Sequence, residues 1–187
     1  MSAQKILDNQ TKEIVKKITP IISGYYERTT LDLDAVCEKL GITLYQAKFE
    51  DPNMSGALSK DNGTWSIVVN EEHAPKRRRF TIAHELGHYF AIQNGSISAQ
   101  EYIEENNNVI RDYYVLNRNE DVDEENYQVE RQANMIAAEI LMPEEMVTAL
   151  INENSNIPEL ADKFGVSESA MSYRLTGLKI NTLETLV

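Results

Sequence analysis

The chain has 187 residues, enough for one sizeable hydrophobic core and a small appended unit. Its 42% hydrophobic and 26% charged residues are typical of a soluble globular protein, and no run approaches the roughly 20 apolar residues that a membrane-spanning helix needs. The net charge of −12 disfavours nucleic-acid binding, and the single cysteine excludes an internal disulfide framework or a cysteine-based zinc site.

The N-terminal segment predicts an amphipathic helix over residues 3–18, ended by the Thr19-Pro20 step. Its alternating charges leave no apolar signal region, so the segment does not resemble a secretory signal. The lone cysteine, Cys37, is predicted to be a small buried hydrophobe within the next helix. Together these features predict a cytoplasmic protein that does not enter a membrane.

A small sheet is predicted after a second helix over residues 33–40. Residues 42–49 alternate between apolar and polar side chains as a strand does. Residues 55–59 and 65–69 are typical of two further strands, and the Lys-Asp-Asn-Gly turn at 60–63 predicts that they form a hairpin. The sheet therefore precedes the part of the chain that carries the chemistry.

A helix-like run over residues 80–92 contains the pattern His-Glu-x-x-His at His84, Glu85 and His88. At roughly 100° per residue, positions i and i+4 share a helix face, so both imidazoles can bind one metal ion. Glu85 lies one step round the helix, where a carboxylate can accept a proton from water on the metal. Gly87 is unfavourable inside a helix and predicts that another segment packs close to it. The alternative is a surface helix that carries two histidines.

Charged segments flank this helix on both sides. The basic run at residues 76–79 is interpreted either as a solvated helix start or as a binding patch. Residues 94–125 are polar and acidic, with nine acids and two bases between positions 98 and 125, and predict a long loop or a loop broken by a short helix.

The third metal ligand is predicted on a helix over residues 127–141. Projecting the apolar stripe of this helix back by one turn leads to Glu130, and a carboxylate on a buried face is costly unless it is paired or bound to metal. Asn134, one turn on, can hydrogen-bond a ligand histidine, whereas Glu139 is predicted to face solvent. His73 is the alternative third ligand, and a salt bridge to a buried arginine is the alternative role for Glu130. The stripe consists of Ala133, Ile136, Ala137, Ile140 and Leu141.

The C-terminal segment predicts a compact helical unit, with a helix-turn-helix-like pattern at residues 159–175. From position 158 to 187 there are three bases and four acids, a net charge of −1, which makes DNA binding unlikely. We therefore predict a packing or partner-docking unit at 151–187, appended to a metal-site domain at 1–150. A DNA-binding transcription factor is the alternative.

Three blocks of this sequence resemble the ImmA/IrrE family of metallopeptidases. They are IVVN at residues 67–70, RRRFTIAHELGHYF at 77–90 and VERQANMIAAEILMP at 129–143. The resemblance implies an α+β fold in which a small antiparallel sheet packs on zincin-type active-site helices, with the helix-turn-helix-like unit following. The chain departs from the family at Gln132, where members commonly carry an acid, and this side chain is predicted to point off the buried stripe.

The resemblance also implies a gluzincin-like site. In it, His84, His88 and Glu130 ligate Zn²⁺ and Glu85 is the general base. Members are implied to cleave a helix-turn-helix repressor or antitoxin-type partner of a mobile element or stress response. A zinc-binding regulator that does not cleave its partner is the alternative, because its metal ligands would be the same.

The predicted hairpin strand before the motif helix suggests where a substrate binds. Val68, Val69 and Asn70 are predicted to pair with an extended substrate by strand addition. The sequence makes no prediction of the oligomeric state.

Overall fold

The structure, a computed structural model, describes residues 3–95, 109–113, 124–151 and 156–180. Its helices are α1 Ala3–Ile22, α2 Leu33–Leu40, α3 Pro75–Gln93, α4 Glu124–Leu141, α5 Glu144–Leu150, α6 Ile157–Phe164 and α7 Glu168–Gly177, with a 3₁₀ turn at Ser23–Tyr25. Its strands are β1 Tyr26–Glu27, β2 Thr30–Leu31, β3 Ile42–Ala47, β4 Met54–Asp61, β5 Thr64–Asn70 and β6 Val109–Tyr113. The predicted α+β class is confirmed. In the described ranges, no helix combines the length and the apolar character that crossing a membrane requires.

Helix α1 continues past the predicted end at Thr19-Pro20 and includes Pro20. The proline removes one backbone hydrogen bond, but Ile22 is buried in the core, and this packing holds the last turn in place. Helix α2 begins where Asp32 accepts a hydrogen bond from the Ala35 amide and ends at Gly41, which has φ 69°. Cys37 on α2 is buried as predicted, and burial raises the pKa of its thiol to about 12.

The larger sheet has the strand order β3-β5-β4-β6. The predicted hairpin is confirmed: β4 and β5 are antiparallel, and the turn between them has positive φ at Asn62 and Gly63. The prediction of an antiparallel sheet is wrong for β3, which runs parallel to β5. The reason is that β4 lies on the far side of β5, so β5 returns beside β3 in the same direction. Strand β6 was not predicted; the rest of the acidic segment 96–123 lies outside the described residues.

The basic run at residues 76–79 connects the start of α3 to four other elements. Lys76 pairs with Asp162 on α6, Arg77 donates to the Ser55 hydroxyl on β4, Arg78 donates to Gln46 on β3, and Arg79 donates to the Leu31 carbonyl on β2. Lys76 and Arg77 are exposed, as a solvated helix start predicts, and the run also makes these contacts within the chain. The run orients the helix that carries the His-Glu-x-x-His motif.

The C-terminal helices α6 and α7 form the predicted helix-turn-helix-like pair, with Gly165 in the left-handed region between them. Their apolar side chains belong to the same hydrophobic core as those of α1–α4. Arg174 on α7 donates to both carboxylate oxygens of Glu139, at 2.8 and 2.7 Å, and to the Met142 carbonyl at 2.9 Å. The prediction that Glu139 faces solvent is therefore wrong, because α7 covers that side of α4.

We expect Arg174→Ala to lower the free energy of unfolding by about 2 kcal/mol, because it removes one half of a largely buried ion pair and takes this partner away from the Glu139 carboxylate. The estimate lies below the range for fully buried pairs because the Glu139 side chain is 27% exposed, against 9% for Arg174. Urea denaturation measures the change, with the exposed Lys17→Ala as the matched control. A loss no larger than in the control would contradict a stabilising role for this pair.

Candidate metal centre

Helix α3 places the motif in the interior of the protein. His84 is 2% exposed, and Glu85 and His88 are fully buried. The alternative of a surface helix with two histidines is thereby excluded. Polar side chains at such positions need partners or a metal ion, since burying them without either is costly.

His84, His88 and Glu130 converge from helices α3 and α4. The His84 Nε2 atom lies 2.9 Å from His88 Nε2 and 3.2 Å from Glu130 Oε2, and His88 Nε2 lies 3.3 Å from Glu130 Oε1. Ligand atoms about 2.0–2.2 Å from a tetrahedral ion are about 3.3 Å apart. The three side chains therefore fit one metal ion, with two neutral nitrogen donors and one carboxylate.

The electrostatics of the cluster keep the Glu130 carboxylate ionised. Burial on its own raises the pKa of Glu130, but the imidazoles of His88 and His84 outweigh this effect and the net pKa lies well below its usual range. The Glu130 side chain is 32% exposed, so the cluster remains open on one side. A catalytic metal site needs ionised carboxylate ligands and an open side at which water or substrate can reach the metal.

Asn134 lies one turn after Glu130 and contacts the other ring nitrogen of His84. The Nδ1–H of His84 donates to the Asn134 side-chain oxygen at 2.9 Å. This hydrogen bond leaves the Nε2 lone pair directed at the cluster, which is the tautomer that a metal ligand needs.

The close approach predicted at Gly87 is present. A Cβ atom on Gly87 would lie 2.5 Å from the Ala133 carbonyl oxygen and 2.9 Å from the Ala133 Cα. Helix α3 thus contacts the backbone of α4 directly, one residue before the second motif histidine. Glycine lets the two helices bring their ligand side chains together.

Two other residues considered from the sequence lie elsewhere. His73 is outside the cluster, with its Nε2 atom 3.3 Å from the Pro52 carbonyl oxygen. Gln132 was predicted to point off the stripe, yet it is buried. Helix α4 packs against α1 as well as α3. A wider face of α4 is therefore buried than the single apolar stripe predicts.

The prediction that Val68, Val69 and Asn70 pair with a substrate strand is wrong in this fold. Strand β5 is an interior strand: its residues 65–70 pair with β3 on one side, and residues 64–69 pair with β4 on the other. The Asn70 side chain also donates to the Met54 carbonyl. Strand addition needs an open edge, and β5 has none at Val68 and Val69, which are paired on both sides.

Gly56 and Thr81 were not predicted as site residues. Gly56 lies beside the Glu85 carboxylate, and Thr81 approaches the same glycine. A Cβ atom on Gly56 would lie 3.2 Å from Glu85 Oε1 and would overlap the Thr81 methyl group. The signal was a glycine inside a strand pattern, which indicates a close approach by another group.

An α+β fold with a two-histidine, one-carboxylate cluster on packed helices defines a protein with a candidate metal centre. The chain belongs to the peptidase M78 family, described as the IrrE N-terminal-like domain, whose model matches residues 37–176. The resemblance to the ImmA/IrrE family is thereby confirmed.

The curated relatives are two proteins named radiation response metalloprotease IrrE. The chain is 32% identical over 114 residues to the one from Deinococcus radiodurans, which covers 59% of this chain and 30% of that protein. It is 28% identical over 113 residues to the one from Deinococcus deserti, with 58% and 35% covered. The chain thus matches about a third of the length of these relatives.

A solved structure described as a Mycobacterium tuberculosis transcriptional regulator has a similar fold. It matches with a TM-score of 0.56 and 17% identity, over 90% of this chain and 48% of that one. At this identity the likeness concerns the fold alone.

Proposed function

We propose that this protein is a zinc-dependent endopeptidase. The observation that carries the proposal is the convergence of His84, His88 and Glu130 beside the buried Glu85. Zinc is favoured because two imidazoles and one carboxylate form a ligand set typical of catalytic zinc sites. The metalloprotease names of the curated relatives support the same activity.

The proposed roles follow from the positions of the side chains. A bound zinc ion would supply Lewis acidity and make a coordinated water more acidic. Glu85 accepts the proton of the attacking water and returns it to the leaving amine. Asn134 holds the His84 ring in the ligating tautomer, and the open side of Glu130 leaves room for a substrate.

The proposed substrate is a regulatory protein in the cytoplasm, with a helix-turn-helix repressor or antitoxin-type partner as the first candidate. This part of the proposal depends on the family resemblance. We propose that α6 and α7 are a packing unit and do not read DNA. The contacts of Arg174 with Glu139 and Met142 support this, because they engage one of the few cations of the unit within the protein.

We expect Glu130→Ala to lower zinc affinity by at least about 100-fold and to abolish cleavage, since losing a ligand costs at least as much as losing an outer-shell partner. Wild type, Glu130→Ala and the exposed control Glu145→Ala are incubated with Zn²⁺ and with candidate helix-turn-helix repressors. Zinc content is measured by mass spectrometry of the metal, and cleavage by intact mass. If wild type holds one zinc and leaves every candidate intact, the non-cleaving alternative replaces the peptidase. Unchanged zinc affinity in Glu130→Ala would contradict the ligand assignment.

A further inference from the structure

One face of helix α3 contacts a single short stretch of β4. Arg77, Thr81 and Glu85 are spaced four residues apart and therefore lie on this face. Arg77 donates to the Ser55 hydroxyl at 3.0 Å, and Thr81 and Glu85 both approach Gly56. All of these groups except Arg77 are buried.

The contact at Gly56 leaves no room for a side chain. An added Cβ atom would overlap the Thr81 methyl group and would lie 3.0 Å from the Val68 carbonyl oxygen and 3.2 Å from Glu85 Oε1. The backbone of β4 is held on both sides, because Gly56 pairs with Val69 on β5 and with Asp112 on β6. The pairing of β4 with β6 shifts in register between Met54 and Gly56, so the regular strand geometry is interrupted just before the glycine.

The Thr81 methyl group is itself held in place. Its hydroxyl donates to the Arg77 carbonyl at 3.0 Å, and a threonine side chain with this hydrogen bond has little freedom to rotate. Of the three groups around the added Cβ atom, one is backbone and one is a fixed methyl group. The end of the Glu85 side chain is the group that can move.

We propose that Gly56 and Thr81 are positioning residues that fix the carboxylate of Glu85 for proton transfer. Gly56 provides the space that Oε1 needs, and the Thr81 methyl group closes the remaining gap. This inference rests on the proposed function of Glu85. It predicts that a methyl group added at position 56 displaces the carboxylate, while the metal ligands His84, His88 and Glu130 keep their places.

Acetohydroxamate provides a test that needs no substrate. It binds a metal through its two oxygens, and a correctly placed carboxylate strengthens binding by accepting its proton. The full chain is loaded with Co²⁺ as a spectroscopic substitute for zinc, and acetohydroxamate is titrated by visible absorption. Glu85→Gln, Gly56→Ala, Thr81→Ser and the double variant Gly56→Ala/Thr81→Ser are compared with wild type. Gly24→Ala is the matched control, since a Cβ there meets nothing within 4 Å.

We expect Glu85→Gln and Gly56→Ala each to weaken acetohydroxamate binding by about 10- to 100-fold, the value of one hydrogen bond to a charged group. All variants should bind one Co²⁺. Gly24→Ala should bind like wild type. Thr81→Ser should bind more weakly than wild type but more tightly than Gly56→Ala, because it opens the gap beside the carboxylate without placing a new group there. The double variant should recover most of the affinity, because serine lacks the methyl group that overlaps the new Cβ atom.

Wild-type affinity in Gly56→Ala, with a loss in Glu85→Gln, would overturn the positioning role and leave the proposed role of Glu85 intact. Wild-type affinity in Glu85→Gln would overturn both. A double variant as weak as Gly56→Ala would also overturn the proposal, because the Thr81 methyl group would then not be the constraint. Thermal unfolding checks that each variant folds. If Gly56→Ala does not fold, the double variant is compared with Thr81→Ser, and a loss of about tenfold between them would contradict the expected recovery.

Discussion

Glu85→Gln is expected to keep one metal ion per chain and to lower the rate of peptide cleavage by about 100-fold or more, the range that general acid–base catalysis contributes. Glutamine has nearly the same shape as glutamate, so the packing against Gly56 is retained. Its amide cannot accept the proton of the attacking water. The substitution leaves the three candidate metal ligands in place, and His84, His88 and Glu130 contact one another directly.

The metal content per chain and the rate of cleavage are measured on the same samples. Cleavage of the candidate repressor is followed by intact mass. Glu72→Gln is the matched control, because Glu72 is exposed and pairs only with Lys48 among the ion pairs of the described chain. It should cleave like wild type. Cleavage at the wild-type rate by Glu85→Gln would show that Glu85 is not the base.

Gly87→Ala is expected to destabilise the protein by about 2 kcal/mol and to weaken metal binding. Alanine favours a helix over glycine by about 1 kcal/mol, but overpacking a core costs about 1–3 kcal/mol and more where nothing can rotate away. At this position the second effect prevails. The new methyl group would lie within 3.1 Å of three backbone atoms of Ala133, and backbone cannot move aside without shifting helix α4.

The separation of α3 and α4 would move His84 and His88 away from Glu130, so stability and metal affinity should fall together. Urea denaturation of the metal-free protein and a Zn²⁺ competition titration measure the two. Gly177→Ala on α7 is the control, since its Cβ atom meets nothing within 4 Å, and it should be neutral or slightly stabilising. Wild-type metal affinity in Gly87→Ala would contradict the idea that this helix contact sets the site.

Several features were determined by the sequence alone, because each depends on residues within a few positions of one another. The spacing of His84 and His88 follows from helix geometry, and the turn at Asn62 and Gly63 follows from the backbone freedom of those residues. The position of Glu130 on the core side of α4 follows from the phase of the apolar stripe. Helical phase persists along an element, so the stripe of α4 located a candidate ligand 42 residues after His88.

Other features were decided only by the tertiary structure, because they depend on which elements become neighbours. The parallel pairing of β3 made β5 an interior strand and removed Val68 and Val69 as a strand-addition edge. The docking of α7 turned Glu139 from a predicted solvent-facing side chain into the partner of Arg174. The close approach of Glu85 to Gly56 brings together a residue of a helix and a residue of a strand. The local periodicity of each element does not specify such pairings, since their energy appears only when the separate segments meet in the folded chain.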